Sequence, residues 1–260
     1  MFRKLLIGIT LLTLLLSACG TGPAPTASPA EIPPTAVPPS EEPATFTPTP
    51  VPPTETIVPT ATPENQIFRD DFTGTLQPGW RWENEKPDRW KVTSDGWLQI
   101  IGEDPSLLGG EAQSNLLWRD LPEGDFMITI HLKTVPDSNF QQATIYIYQD
   151  LKNYIAINRG YCGPCSTGGN GIYMEYAING QGNAYMTPFT ATDLYLRLES
   201  KEKTISGYYA TSPDQWQRLG RFGNYFVFKN VGLGVTNADR QGASNSDLVG
   251  LFDYFEIASP

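Results

Sequence analysis

The chain has 260 residues and a formal net charge of −10, with 18 Lys and Arg against 28 Asp and Glu. An acidic balance without a basic cluster excludes a surface that binds nucleic acid by neutralising phosphates. It equally excludes electrostatic docking on anionic lipid.

The first residues read as an export signal. Arg3 and Lys4 precede an apolar run from Leu5 to Leu16, and the small residues Ser17 and Ala18 come before Cys19. A basic start, a short apolar core and a small-residue cleavage site make residues 1–18 a signal peptide. The apolar run is about half of the roughly 20 residues that span a bilayer. Leu16-Ser17-Ala18-Cys19 resembles the lipobox of bacterial lipoproteins. The resemblance implies diacylglycerol on the Cys19 thiol and cleavage just before it. Two acyl chains hold stably, since each buried methylene contributes about 0.8 kcal/mol. It further implies a cell-membrane lipid anchor on the extracytoplasmic face, or an outer-membrane one where the cell has such a membrane. The alternative is an ordinary secretory signal that ends in cysteine.

Residues 19–66 change composition abruptly. They hold 14 of the chain's 23 prolines, no Lys or Arg, and five glutamates. Such a stretch buries too little apolar surface to offset its ordering entropy, so a disordered Pro/Thr-rich tether is expected. At about 3.1 Å per residue in polyproline II, its reach is at most on the order of 140 Å. The Thr-Pro pairs also suit O-glycosylation. A proline-rich ligand for a partner domain is the other reading.

Residues 67–260 have the size of one domain, large enough to fold around a core without a metal or disulfide. Alternation with period two dominates. Phe126, Ile128, Ile130 and Leu132 share one strand face, with His131 on the other. Leu194, Leu196 and Leu198 alternate with Tyr195, Arg197 and Glu199, and Ile172, Met174, Tyr176 and Ile178 with Tyr173, Glu175 and Ala177. Further strands are predicted at 97–101, 114–119, 143–149, 154–158, 204–210, 226–235 and 250–257. Turns are predicted at Pro136-Asp137-Ser138, Asp150 to Asn153, Asn179 to Gly182, and Ser212-Pro213-Asp214. Many short strands at this spacing predict an all-β, two-sheet antiparallel β-sandwich of jelly-roll type.

Several segments carry a family resemblance. They are Phe68-Arg69-Asp70-Asp71-Phe72, Pro78-Gly79-Trp80-Arg81-Trp82, Asp95-Gly96-Trp97, Asn115-Leu116-Leu117-Trp118-Arg119, Phe140-Gln141-Gln142-Ala143 and Leu251-Phe252-Asp253-Tyr254-Phe255. In this order they resemble concanavalin A-like lectin/glucanase domains, and in particular the C-terminal β-sandwich of family-43 β-xylosidases. The resemblance implies two stacked antiparallel sheets with the first and last strands side by side. It also implies a structural calcium held by Asp253, with Asp70 or Asp71 nearby; Asp253 capping backbone N–H groups is the alternative. No cofactor is otherwise required.

Catalytic motifs are sparse. The glucanase branch of the superfamily uses carboxylates two apart on one strand face, close enough to act as acid and nucleophile. Glu175 is flanked at that spacing by Tyr173 and Ala177. His131 is the only histidine and reads as a surface or second-face residue rather than a catalytic base. Cys162-Gly163-Pro164-Cys165 matches the thioredoxin tetrapeptide, but no helix is predicted to follow. In an oxidising compartment a structural disulfide is the expected state.

The aromatic residues point to sugar. Tyr146 and Tyr148 share a face with Thr144, and Tyr154, Tyr173 with Glu175, and Tyr195 with Arg197 follow on later strands. If those strands run consecutively, one sheet face offers rings for stacking and polar groups for hydroxyls. The residues expected to bind are Tyr146, Tyr148, Asp150, Tyr154, Arg159, Tyr173, Glu175 and Arg197. Simple cross-strand packing of the tyrosines is the alternative. The expected partner is a polysaccharide or oligosaccharide, and the expected role a membrane-anchored, non-catalytic carbohydrate-binding module. Two alternatives stand beside it: a glycoside hydrolase with a non-standard carboxylate pair, and an envelope module that binds protein.

Overall fold

The computed structural model describes residues 65–104, 113–223, 227–237 and 246–260. The signal peptide, Cys19 and most of the tether lie outside them. No helix among the described residues is long and apolar enough to cross a membrane.

Fifteen strands and one 3-10 turn make up the described fold. The first sheet holds β1 (Gln66–Asp70), β3 (Trp90–Val92), β4 (Leu98–Ile101), β6 (Phe126–Thr134), β11 (Asp193–Lys201), β12 (Thr204–Ala210), β13 (Gln217–Gly223) and β15 (Val249–Ala258). Its order is β13-β12-β11-β6-β15-β4-β3, with β1 beside the far end of β15. The second sheet holds β2 (Arg81–Glu83), β5 (Leu116–Asp120), β7 (Gln141–Asp150), β8 (Asn153–Cys162), β9 (Gly169–Ile178), β10 (Gln181–Pro188) and β14 (Asn230–Asn237). Its order is β10-β9-β8-β7-β14-β5-β2. Every strand pair is antiparallel, and the first and last strands are neighbours, as expected.

Alternation builds the core. Ile128, Ile130 and Leu132 from β6 and Leu194, Leu196 and Leu198 from β11 are fully buried. They belong to one cluster with Ala143, Ile145 and Ile147 from β7 and Ile172 and Met174 from β9. The two sheets therefore press their apolar faces together. Strands β1, β2, β3, β10 and β13 were not predicted. Strands β2 and β3 have three residues each, too short for a period to register. Asn179 to Gly182 is rich in turn residues, yet β10 already begins at Gln181. Only Asn179 and Gly180 turn, at φ 52° and 77°, the primed hairpin geometry that suits strand twist.

The last strand departs from simple alternation. Phe252 pairs with Leu132 and Tyr254 with His131, so Asp253 is the extra residue of a β-bulge. Phe252 and Phe255 both enter the core. Asp253 therefore does not share a face with Phe255 and Ile257, as plain alternation from Leu251 would have it; the bulge turns its carboxylate outward.

Cys162 and Cys165 form a disulfide with Cα atoms 5.3 Å apart. It closes the turn at the end of β8, where Cys165 N–H donates to the Cys162 carbonyl.

Candidate carbohydrate-binding face

The outer face of the second sheet, turned away from the core, gathers most of the residues expected to bind. Strands β7, β8 and β9 are neighbours, so side chains of matching parity form rows across them. One row runs Tyr146, Ala156, Glu175, Ala184. The next runs Thr144, Asn158, Tyr173, and the row on the other side Tyr148, Tyr154, Ala177.

Glycines let the aromatic rings lie down on this sheet. A Cβ at Gly232 would stand 2.2 Å from the Trp118 ring, and one at Gly171 would stand 3.0 Å from the Tyr173 ring. Trp118 then stacks on Tyr148 at 4.8 Å and 16° and meets Tyr146 edge-on at 5.9 Å. Leu116, Trp118, Tyr146, Tyr154, Ala156 and Ala177 form a second apolar cluster, separate from the core, with Tyr148 against it. Tyr146 is fully buried and Tyr154 nearly so, while Tyr148 is partly exposed. The Tyr146 hydroxyl donates to Gln113 Oε1 at 3.0 Å, and Tyr173 donates to the Gly169 carbonyl at 2.6 Å. Burial raises the pKa of all four tyrosines, so each keeps its hydroxyl proton at neutral pH.

Glu175 is the charged centre of this face. Gln142 Nε2 donates to its Oε1 at 3.1 Å and Asn158 Nδ2 to the same oxygen at 3.2 Å. Loss of water raises its pKa, and the two amide donors offset that only in part. Among the described residues no Lys, Arg or His pairs with it, and no second carboxylate perturbs it. The side chains of Thr144 and Asn158 next to it are buried, and among the described residues Asn158 Oδ1 has no hydrogen-bond partner. Small residues, Ala156 and Ala184, flank it along its row.

Three expected residues lie elsewhere or act otherwise. Arg159 has the opposite parity to Tyr154 and points to the inter-sheet side. It is 1% exposed and donates to the carbonyls of Ala191 and Gly160 and to Asn170 Oδ1. It clamps the β8–β9 end. Arg197 stands on β11, in the other sheet, so the expected run of consecutive strands stops at β9. Its Nε donates to Thr129 Oγ1 at 3.1 Å, and its guanidinium lies 3.8 Å over the Trp216 ring. Asp150 ends β7 and accepts from Lys152 N and Asn153 Nδ2 across the β7–β8 turn. Trp118, Gln142, Asn158 and Gln113 were missed. The parity of Gln142 with Tyr146, and of Asn158 with Tyr154, was a usable signal. That of Gln113 was not, because it precedes its strand.

Each residue expected to hold calcium has a protein partner. Asp253 Oδ2 meets His131 Nδ1 at 2.9 Å, and Asp71 pairs with Arg69 at 2.7 Å. Asp70 is buried and accepts from Phe72 N, Gln77 N and Trp80 Nε1. No group of three His, Cys, Asp or Glu side chains suited to a metal occurs among the described residues. His131 bridges two carboxylates, with Nε2 2.6 Å from Asp193 Oδ1, and its ring stacks on Tyr195 at 4.4 Å. It is a cross-strand tie on the outer face of the first sheet.

Residues 69–257 match the β-xylosidase C-terminal concanavalin A-like domain. The chain belongs to that family. Solved structures share the concanavalin A-like fold. The GH43 BlXynB protein of Bacillus licheniformis matches with a TM-score of 0.64 and 20% identity, over 74% of this chain and 39% of that one. A xylan β-1,4-xylosidase of Bacillus halodurans matches with a TM-score of 0.62 and 19% identity, over 78% of this chain and 41% of that one. The chain thus corresponds to about two fifths of the length of those proteins. A β-glucanase of Bacillus licheniformis matches with a TM-score of 0.53 and 13% identity, over 74% of this chain and 97% of that one. No curated protein matches the chain.

Proposed function

We propose that this concanavalin A-like domain is a non-catalytic carbohydrate-binding module, displayed outside the cytoplasmic membrane by a lipid on Cys19 and a Pro/Thr-rich tether. The observation that carries the binding reading is the aromatic face of the second sheet. Tyr148 stacked on Trp118 offers an apolar ridge for the apolar side of a sugar ring, and the polar row around Glu175 lies two strands away for hydroxyls. Among the described residues no second carboxylate perturbs Glu175, whereas glycoside hydrolysis by either geometry uses a pair. That favours binding over hydrolysis. Membership of a family named for the C-terminal domains of β-xylosidases makes plant or microbial polysaccharide a sensible first ligand class.

A glycan array probed with the full-length protein tests the reading. Binding to oligosaccharides, lost in Tyr148→Ala and Trp118→Ala with circular dichroism unchanged, supports it. Absence of binding to every glycan, or binding that survives both substitutions, overturns the assignment of the site. Product release from the same glycans, abolished in Glu175→Gln, would instead establish a hydrolase. Metabolic labelling with a radioactive fatty acid tests the anchor: label on the parent and none on Cys19→Ser is the expected result.

A further inference from the structure

Glu175 presents a problem of charge that the fold does not solve. A carboxylate removed from water ordinarily has a cation beside it. Here its neighbours are two amides, two alanines and tyrosine rings. Both amide donors meet Oε1, which leaves Oε2 without a hydrogen bond among the described residues. Asn158, one of the two donors, is itself buried, and its Oδ1 is unpaired among the described residues. Buried polar atoms are almost always satisfied, so an unpaired one on a partner of this carboxylate is informative. Both unpaired atoms, Glu175 Oε2 and Asn158 Oδ1, are acceptors. The domain around them is acidic, with 16 Lys and Arg against 23 Asp and Glu over residues 67–260, which draws cationic ligands toward it.

We propose that the sugar seated at Glu175 carries a protonated primary amine, so that the module prefers an amino sugar with a free amine to a neutral one. This rests on the outer face of the second sheet being the binding face. An ammonium brings three N–H donors and a charge. Glu175, the partly exposed member of the group, receives it first, through the free Oε2. Burial of much of the carboxylate strengthens the salt bridge formed there. The small side chains of Ala156 and Ala184 leave room beside the carboxylate for the substituent. A neutral hydroxyl in the same place would satisfy one acceptor and leave the charge uncompensated.

Isothermal titration of the full-length protein with three oligosaccharides tests this: a deacetylated glucosamine oligomer, its N-acetylated form and a xylose oligomer of equal length. The expected result is binding of the free-amine oligomer tighter by about tenfold or more, with Glu175→Gln erasing that preference. Gln is nearly isosteric, and an unchanged circular dichroism spectrum certifies its fold. The preference should also fade as pH falls and Glu175 takes up its proton, a readout that needs no variant. Equal affinity for all three, unaltered in Glu175→Gln, overturns the amine assignment and leaves the binding face standing. Equal binding of oligolysine also overturns it, since the site would then recognise charge without sugar. Failure of every oligosaccharide, the free-amine one included, overturns the binding face itself.

Discussion

Single side chains carry two kinds of work in this domain. Asp70 is 1% exposed and its carboxylate accepts three hydrogen bonds, from Phe72 N, Gln77 N and Trp80 Nε1. Asp70→Ala leaves all three donors unpaired, and urea denaturation is expected to show a loss of about 3 kcal/mol or more. Glu175 works differently. Desolvation raises its pKa, so the folded chain holds the proton more tightly than the unfolded one. The stability this contributes is full below the unfolded value of about 4.3 and is lost as pH rises through the folded value. Glu175→Gln should flatten that slope and be more stable than the parent near neutral pH. Parallel denaturation curves for parent and variant across the acid range would contradict this.

At the level of elements, the binding face depends on glycines as much as on rings. Gly232 on β14 carries no side chain because Trp118 occupies the space: a Cβ would also come within 2.3 Å of the Leu117 carbonyl. Gly232→Ala is therefore expected to cost about 3 kcal/mol and to alter the near-ultraviolet circular dichroism of the Trp118–Tyr148 stack. At Gly182, on the β10 edge, a Cβ meets only the Tyr176 carbonyl at 3.3 Å, so Gly182→Ala is the mild control. The β11–β12 hairpin shows the reverse situation. Glu202 and Lys203 turn at φ 48° and 62°, a conformation that costs side chains about 1 kcal/mol or more each. Lys203→Gly should raise stability by about 1 kcal/mol, read as a higher denaturation midpoint. Equal midpoints would mean that the turn holds no such cost.

Across the whole molecule, two extended sheets and their shared apolar layer dominate, and the disulfide is a local staple. Cys162 and Cys165 are three residues apart, and closing so short a loop restrains the unfolded chain by only about 2 kcal/mol. Cys162→Ser/Cys165→Ser is expected to fold with native circular dichroism and a modestly lower midpoint. Complete unfolding would show that the β8 turn matters more than its loop length implies.

Much of this architecture was legible in the amino-acid order, because a strand has period two and a packed face must be apolar. Ile128, Ile130, Leu132, Leu194, Leu196, Leu198, Ile145 and Ile147 declared their burial in that way, and Tyr146, Tyr148, Tyr173 and Glu175 declared the opposite face. Parity also contained the answer for Arg159, five residues after Tyr154 and hence on the other side. What parity cannot say is which sheet a strand joins. Tyr195 and Arg197 look like a continuation of the tyrosine face, yet β11 pairs with β6 and carries them to the outside of the other sheet. Nor can parity foresee an inserted residue: the bulge at Asp253 keeps Phe252 and Phe255 both in the core and frees the aspartate for His131. The period of the chain determines which side chains face together along a strand. Pairing between distant strands, set by burying the whole apolar surface at once, decides which of those faces become one site.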